Sequence, residues 1–251
     1  MDIYRDFAGV YDLFMEDTPY DAWTGRIHDT LKEYAIDDGL IADLGCGTGA
    51  ITRRLSALGY DMIGIDASED MLAVAKERDL QSGAEHDILY LCQDMTEFEL
   101  YGTVRAIVSV CDCVNYLTDP DSLLHTFKLV NNYLDPGGIF IFDFNTTHKY
   151  RDVIGDTVIA ENREDCSFIW ENFYDEETHI NEYDLTLFIK EGDLFRKSME
   201  THAQRGYTSD EMRDLLERSG LKIVEFMDAD TGKPVSDDSE RVYVVAGENG
   251  K

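Results

Sequence analysis

Residues 42–50 read ADLGCGTGA. An apolar run, LIADLG at 40–45, leads into this stretch and a helical one, ITRRLSAL at 51–58, leads out, so the glycines stand at a strand-to-helix turn. Gly45, Gly47 and Gly49 let the backbone turn tightly and approach a ligand without side-chain obstruction. Taken literally, GCGTGA also satisfies the dinucleotide fingerprint G-x-G-x-x-A, and a tight turn without a ligand is the plain structural alternative. Asp43 separates the two ligand classes. Its carboxylate, at the strand's end, would repel a pyrophosphate by a Coulomb energy of the order of kcal/mol and favour a cation. The ammonium and sulfonium groups of S-adenosylmethionine meet that demand.

Outward from this turn the chain alternates strands and helices. DMIGID (61–66), ILYLCQ (88–93), VRAIVSV (104–110) and GIFIFDF (138–144) follow as strand runs. SEDMLAVAKERDL (68–80), with Ser68 as N-cap, and residues 121–134, stopped at Asp135-Pro136-Gly137-Gly138, are the helices between. Over 156–205 the rhythm becomes SFIWENFY, INEYDLTLFIK and DLFRKSMETHAQR, joined by DEET and EGD, which predicts an antiparallel meander. A helix at 208–219, closed by Gly220, and strands at 221–227 and 241–246 resume the first pattern. The expected fold is α/β: a Rossmann-like, mostly parallel seven-stranded sheet with helices on both faces, plus an inserted antiparallel β meander. The expected organisation is a helical arm over 1–39, a Rossmann-like domain over 40–150 and 206–251, and an inserted sheet over 151–205 acting as a substrate lid.

Composition narrows the function. Hydrophobic residues make up 43% of 251, enough for a sizeable core. The net charge of -30, from 52 acids against 22 bases, opposes phosphate backbones, so a small neutral or cationic acceptor is expected in place of nucleic acid. The bland counterpart is a solvated acidic surface. No apolar run approaches ~20 residues, and MDIYRDFAGVYDLF lacks the build of a secretory signal, so a cytoplasmic protein without a membrane partner is expected. Cys46, Cys92, Cys111, Cys113 and Cys166 show no C-x-x-C pair, which predicts buried free thiols and no metal. A homodimer stays open.

Asp66 closes the second strand, where an acid can accept from both ribose hydroxyls, and Gln93-Asp94-Met95 follows the third. In this order, ADLGCGTG, GIDAS, QDM and YLDPGGIFIFDF resemble the class I S-adenosylmethionine-dependent methyltransferases over most of 40–145. The resemblance implies that Asp43, Gly45 and Gly47 line the methionine portion of the donor, with Cys46 and Gly49 also among the donor-binding residues. It implies that Asp66 with Ala67 binds the ribose, Ser68 and Met71 flank the nucleoside, and Asp94 with Met95 frames the adenine. Cys111 and Asp112 would lie beneath the reacting centre. The opening Y-x-x-F-A-x-x-Y-D, with Tyr4 and Tyr11, resembles the arm that closes over the donor in small-molecule N-methyltransferases of the amino-sugar type. PYDAW and ERVYVVA resemble uncharacterised bacterial relatives.

Methyl transfer from a sulfonium needs alignment and exclusion of water more than acid–base chemistry, and no catalytic triad is visible. Acceptor-side candidates are Tyr4, Tyr11, Trp23, Asn115, Tyr116, Asn145, Trp170 and Arg205. Asp112 would orient an amine, and His202 would serve as base for a hydroxyl. His202 and Trp170 have structural alternatives: His202 as a surface or satisfied core histidine, Trp170 as packing with Phe168 and Tyr174. A non-catalytic donor-binding protein, an RNA or protein acceptor, and an NAD-dependent oxidoreductase are the competing functions.

Overall fold

The computed structural model describes residues 18–82 and 87–251. Residues 1–17 of the anticipated arm, Tyr4 and Tyr11 among them, lie outside the described residues. Helix α1, Tyr20–Glu33, follows Pro19 within the helical arm expected over 1–39 and buries Ile27 and Leu31. Strand β1, Leu40–Leu44, is buried after its first residue. Helix α2 (Ala50–Ala57), β2 (Asp61–Asp66), α3 (Glu69–Ser82), β3 (Leu89–Cys92) and β4 (Val104–Ser109) then alternate as the apolar runs predict. Ser68 Oγ accepts from the Met71 amide at 3.2 Å, the cap expected of it.

Helix α4, Pro120–Tyr133, starts with Asp119 accepting from the Ser122 amide at 3.1 Å and with proline in its first turn. Strand β5, Leu134–Asn145, follows without a gap. The sequence predicts a turn at Asp135–Gly138 before that strand. In the structure those residues belong to β5, and a register shift between Val104 and Ala106 on β4 absorbs the irregularity. Along β5 the side chains alternate: Phe140, Phe142 and Phe144 share one core with α4, Ile139 and Ile141 the other with α1. Phe140 and Phe142 stack at 4.6 Å.

Strands β6 (Val158–Asn162), β7 (Cys166–Asp175), β8 (Ile180–Glu191) and β9 (Leu194–Arg205) form a separate antiparallel sheet in that order. The sequence predicts three of these four. Strand β6 is missed because its residues are mostly exposed, leaving no apolar alternation to read. Helix α5, Ser209–Ser219, opens with a reciprocal capping box between Thr208 and Glu211. Strands β10 (Lys222–Asp228) and β11 (Arg241–Gly247) complete the main sheet.

The seven-stranded order is β10-β11-β5-β4-β1-β2-β3, with β11 antiparallel to both neighbours and the remaining pairs parallel. This is the Rossmann-like architecture expected from the sequence. The order reverses between β1 and β4, so the loops after these strands diverge and open a crevice at their C-terminal ends. Among the described residues no helix is long and apolar enough to cross a membrane. The five cysteines are free, but only Cys46 and Cys166 are buried as expected; Cys111 and Cys113 are half-buried, and Cys92 is exposed because it closes the edge strand β3.

Candidate active site

The crevice is a cavity of about 500 Å³ bounded by the loops after β1, β2, β3 and β4 and by residues of the antiparallel sheet. At its glycine turn, Gly47 has φ 52° and an added Cβ would meet nothing within 4 Å, so the backbone fronts open space. Gly49 differs from the other two glycines. It does not line the cavity, and a Cβ there would meet the Tyr90 hydroxyl at 2.8 Å and the Ala75 Cβ at 3.2 Å. It serves the close packing of α2 against its neighbours.

Asp43 and Asp66 face the same cavity. Asp43 is buried and accepts from the Thr52 hydroxyl at 2.6 Å. Burial raises its pKa to about 7, a rise opposed by the Thr52 bond and aided by the Asp66 charge. Asp66 accepts from the Gly47 amide at 2.8 Å and the Ser68 amide at 2.9 Å, which ties the β2 carboxylate to the glycine turn. Burial raises its pKa too, against those backbone bonds. Cys46, Ala67, Met71, Asp94, Met95 and Cys111 also line the cavity. Asp94 accepts from the Thr96 amide and hydroxyl, both at 2.7 Å, forming a rigid turn after β3.

Beyond β4 the chain is strained. Cys111 and Asp112 have φ of 67° and 50°, each a cost of roughly 1–2 kcal/mol for a residue with a side chain. Asp143, at the end of β5, holds this turn by accepting from the Asp112 amide at 2.7 Å and the Cys111 amide at 3.3 Å. Arg241, opening β11, donates to Asp112 at 2.5 Å and approaches Asp143 at 3.6 Å. Burial works to lower its pKa, but Asp143 and Asp112 outweigh that and hold it raised. Gln204 of β9 donates to the other Asp112 oxygen at 2.8 Å. Asp112 is thus a paired carboxylate in the cavity wall, not a free one.

Trp23, Tyr116 and Trp170 line the cavity. Four other acceptor-side candidates do not. His202 is 5% exposed, stacks on Tyr183 at 4.9 Å and lies 3.4 Å from Glu200. It sits beside Tyr183, its cross-strand partner on the same face of the sheet, and is not among the residues that line the cavity. Asn115 donates to the carbonyls of Asn145 and Arg205 at 2.9 and 2.7 Å, stitching the β4 loop to β5 and β9. Asn145 accepts from Lys149 and Arg241, and Arg205 pairs with Glu211 at 2.8 Å. These are joints between elements.

Sequence reasoning missed Thr52, Asp143, Arg241, Gln204 and Tyr183. Thr52 lies nine residues from Asp43, and its place one turn into α2 was a findable signal. Arg241 carried a weaker one, a lone cation opening the apolar run RVYVVAG. The remainder depend on distant pairings.

A family model described as a methyltransferase domain matches residues 41–138. YqeM of Bacillus subtilis strain 168, provisionally named a methyltransferase, is 36% identical over 245 residues, covering 97% of this chain and 96% of its own length. The dTDP-3-amino-3,4,6-trideoxy-alpha-D-glucopyranose N,N-dimethyltransferase of Streptomyces venezuelae is 30% identical over 140 residues, 55% of this chain and 56% of its own. A solved S-adenosylmethionine-dependent methyltransferase from Clostridium acetobutylicum ATCC 824 has a TM-score of 0.89 at 28% identity, covering 98% of this chain and 99% of that one.

Proposed function

Since the chain belongs to the class I S-adenosylmethionine-dependent methyltransferases, we propose that it methylates a small-molecule acceptor at nitrogen or oxygen by in-line displacement. The observation that carries the donor site is the convergence of Asp43, Asp66 and the open backbone at Gly47 on one cavity. A buried carboxylate with a pKa of about 7 is costly to ionise until a cation neutralises it, and the donor's methionine end is cationic. S-adenosylmethionine, when bound, supplies a methyl group on an activated sulfur.

In this reading Asp43, Gly45, Cys46 and Gly47 hold the methionine portion, Asp66 and Ala67 the ribose, and Met71, Asp94 and Met95 the adenine. The strained turn at Cys111 and Asp112 forms the wall next to the reacting centre, fixed by Asp143 and Arg241. The sheet of residues 151–205 acts as the lid, contributing Trp170 and Tyr183 to exclude water and align the acceptor. The small-molecule acceptor draws support from the amino-sugar dimethyltransferase relative and from the net charge of -30.

Calorimetry with S-adenosylmethionine, its demethylated product and NAD tests the donor, with binding near micromolar expected for the first two. Binding of NAD alone would overturn the assignment. Turnover of labelled donor against amines, amino sugars and phenols tests the transfer, and silence with intact donor binding would favour a non-catalytic role.

A further inference from the structure

The acceptor half of the cavity is walled by rings. Trp170 and Tyr183 lie 5.0 Å apart, tilted by 49°. The hydroxyls of Tyr183 and Tyr116 are hydrogen-bonded to each other at 3.0 Å. Phe168 and Leu185 extend the wall, and Trp23 lines the same cavity with the Arg241 guanidinium 5.2 Å from its ring. The Trp170 indole N–H is shielded from solvent and has no hydrogen-bond partner among the described residues.

Two further features bear on what fits there. Asp43, Asp66, Asp94 and Asp112 line the cavity, and the guanidinium of Arg241 is already engaged by Asp112 and Asp143. A phosphate group would meet this carboxylate field with unfavourable energy, whereas a developing cation would be stabilised by it and by the ring faces. Both oxygens of Asp112 are taken, one by Arg241 and one by Gln204, and His202, stacked beside Tyr183, does not line the cavity. A hydroxyl acceptor needs a base to take its proton; a neutral amine brings its own lone pair.

We propose that the acceptor is a neutral amine on an apolar, ring-bearing body that carries no phosphate, with Trp170 and Tyr183 as its specificity residues. This rests on the methyl-transfer reading above and narrows it. The amine first gives up its ammonium proton to solvent; the freed lone pair then forms the new N–C bond as the C–S bond breaks and leaves its electron pair on sulfur. Positive charge moves from sulfur to nitrogen, and a secondary amine then releases its N–H proton to solvent.

The test offers labelled S-adenosylmethionine with N-methyltryptamine and N-methylbenzylamine, with 4-ethylphenol, and with a dTDP-linked amino sugar. In parallel, calorimetry measures amine binding in the presence of the demethylated donor product. The expected result is methylation of the amines with kcat/KM about ten-fold or more above the phenol and the nucleotide sugar. Trp170→Ala should raise the amine Kd and KM about ten-fold, with the donor Kd unchanged as proof of folding, and Trp170→Phe should restore most of that loss. Preference for the phenol or the nucleotide sugar would overturn the proposal. So would absent amine binding and turnover in a protein that binds the donor normally. Failure of the native protein to bind donor at all would instead sink the methyl-transfer reading, and this proposal with it.

Discussion

Thr52→Val removes one hydroxyl from a site where the shape barely changes, and the hydroxyl it removes donates to buried Asp43 at 2.6 Å. A hydrogen bond to a charged acceptor is worth ~1.5–3 kcal/mol, or about one to two pKa units at 1.36 kcal/mol each. The native carboxyl, at about 7, is half ionised at neutral pH. In the variant its pKa rises to roughly 8–9, so the ionised fraction at pH 7 falls to between about a tenth and a hundredth. Because a cationic donor binds the carboxylate and not the acid, native affinity should climb with pH through about 7 and then level. The variant should follow the same curve displaced upward, binding roughly 5- to 50-fold more weakly at pH 7 and regaining most of the loss near pH 9. Titration calorimetry of S-adenosylmethionine from pH 5.5 to 9 reads this directly. A native Kd that is flat across the range, or a Thr52→Val deficit as large at pH 9 as at pH 7, would refute the role given to Asp43.

Asp66→Ala should weaken donor binding by ~1–3 kcal/mol, measured as Kd in a variant whose unfolding is still cooperative, since the lost carboxylate would take the ribose bonds with it. Asp43→Asn should separate stability from function. Between pH ~4 and about 7 the folded carboxyl keeps a proton that the unfolded chain releases, so native stability falls as pH rises and stays low above that window. The asparagine variant escapes this, gaining up to ~4 kcal/mol over native above pH 7 and almost nothing at pH 4, in denaturant unfolding of the donor-free protein. Arg241→Met strips the cation from two carboxylates and should cost about 3–5 kcal/mol in unfolding free energy, with Asp143→Asn in the same chain recovering part of it.

Legibility in the sequence followed distance along the chain. The β1 turn, Asp66 and Asp94 stand where neighbouring residues fix them: a strand ends, the backbone turns, and the carboxylate is delivered to the crevice mouth. Capping at Ser68 and Thr208 is equally local. The Asp112–Arg241 pair joins positions 129 residues apart and exists only because β11 inserts antiparallel beside β5, which no periodicity announces. His202, Asn115, Asn145 and Arg205 fall close to the cavity, as their strand ends predict, but which side chain fronts the cavity and which braces it is decided by stacking and cross-strand bonds. Strand β6 carried no alternation, so it was silent until paired with β7.

The bond from Gln204 to Asp112 crosses from one sheet to the other. Tyr150, which donates to the Gln204 carbonyl oxygen at 2.9 Å, fixes the amide from behind. Any exchange of the cover for a different one, whether by evolution or by grafting, therefore has to bring an amide at that register or leave the floor of the pocket half-wired. Diversity of substrates in such a scaffold would be expected along β7 and β8, which bring Trp170 and Tyr183 to the cavity, while β9 is bound to its post.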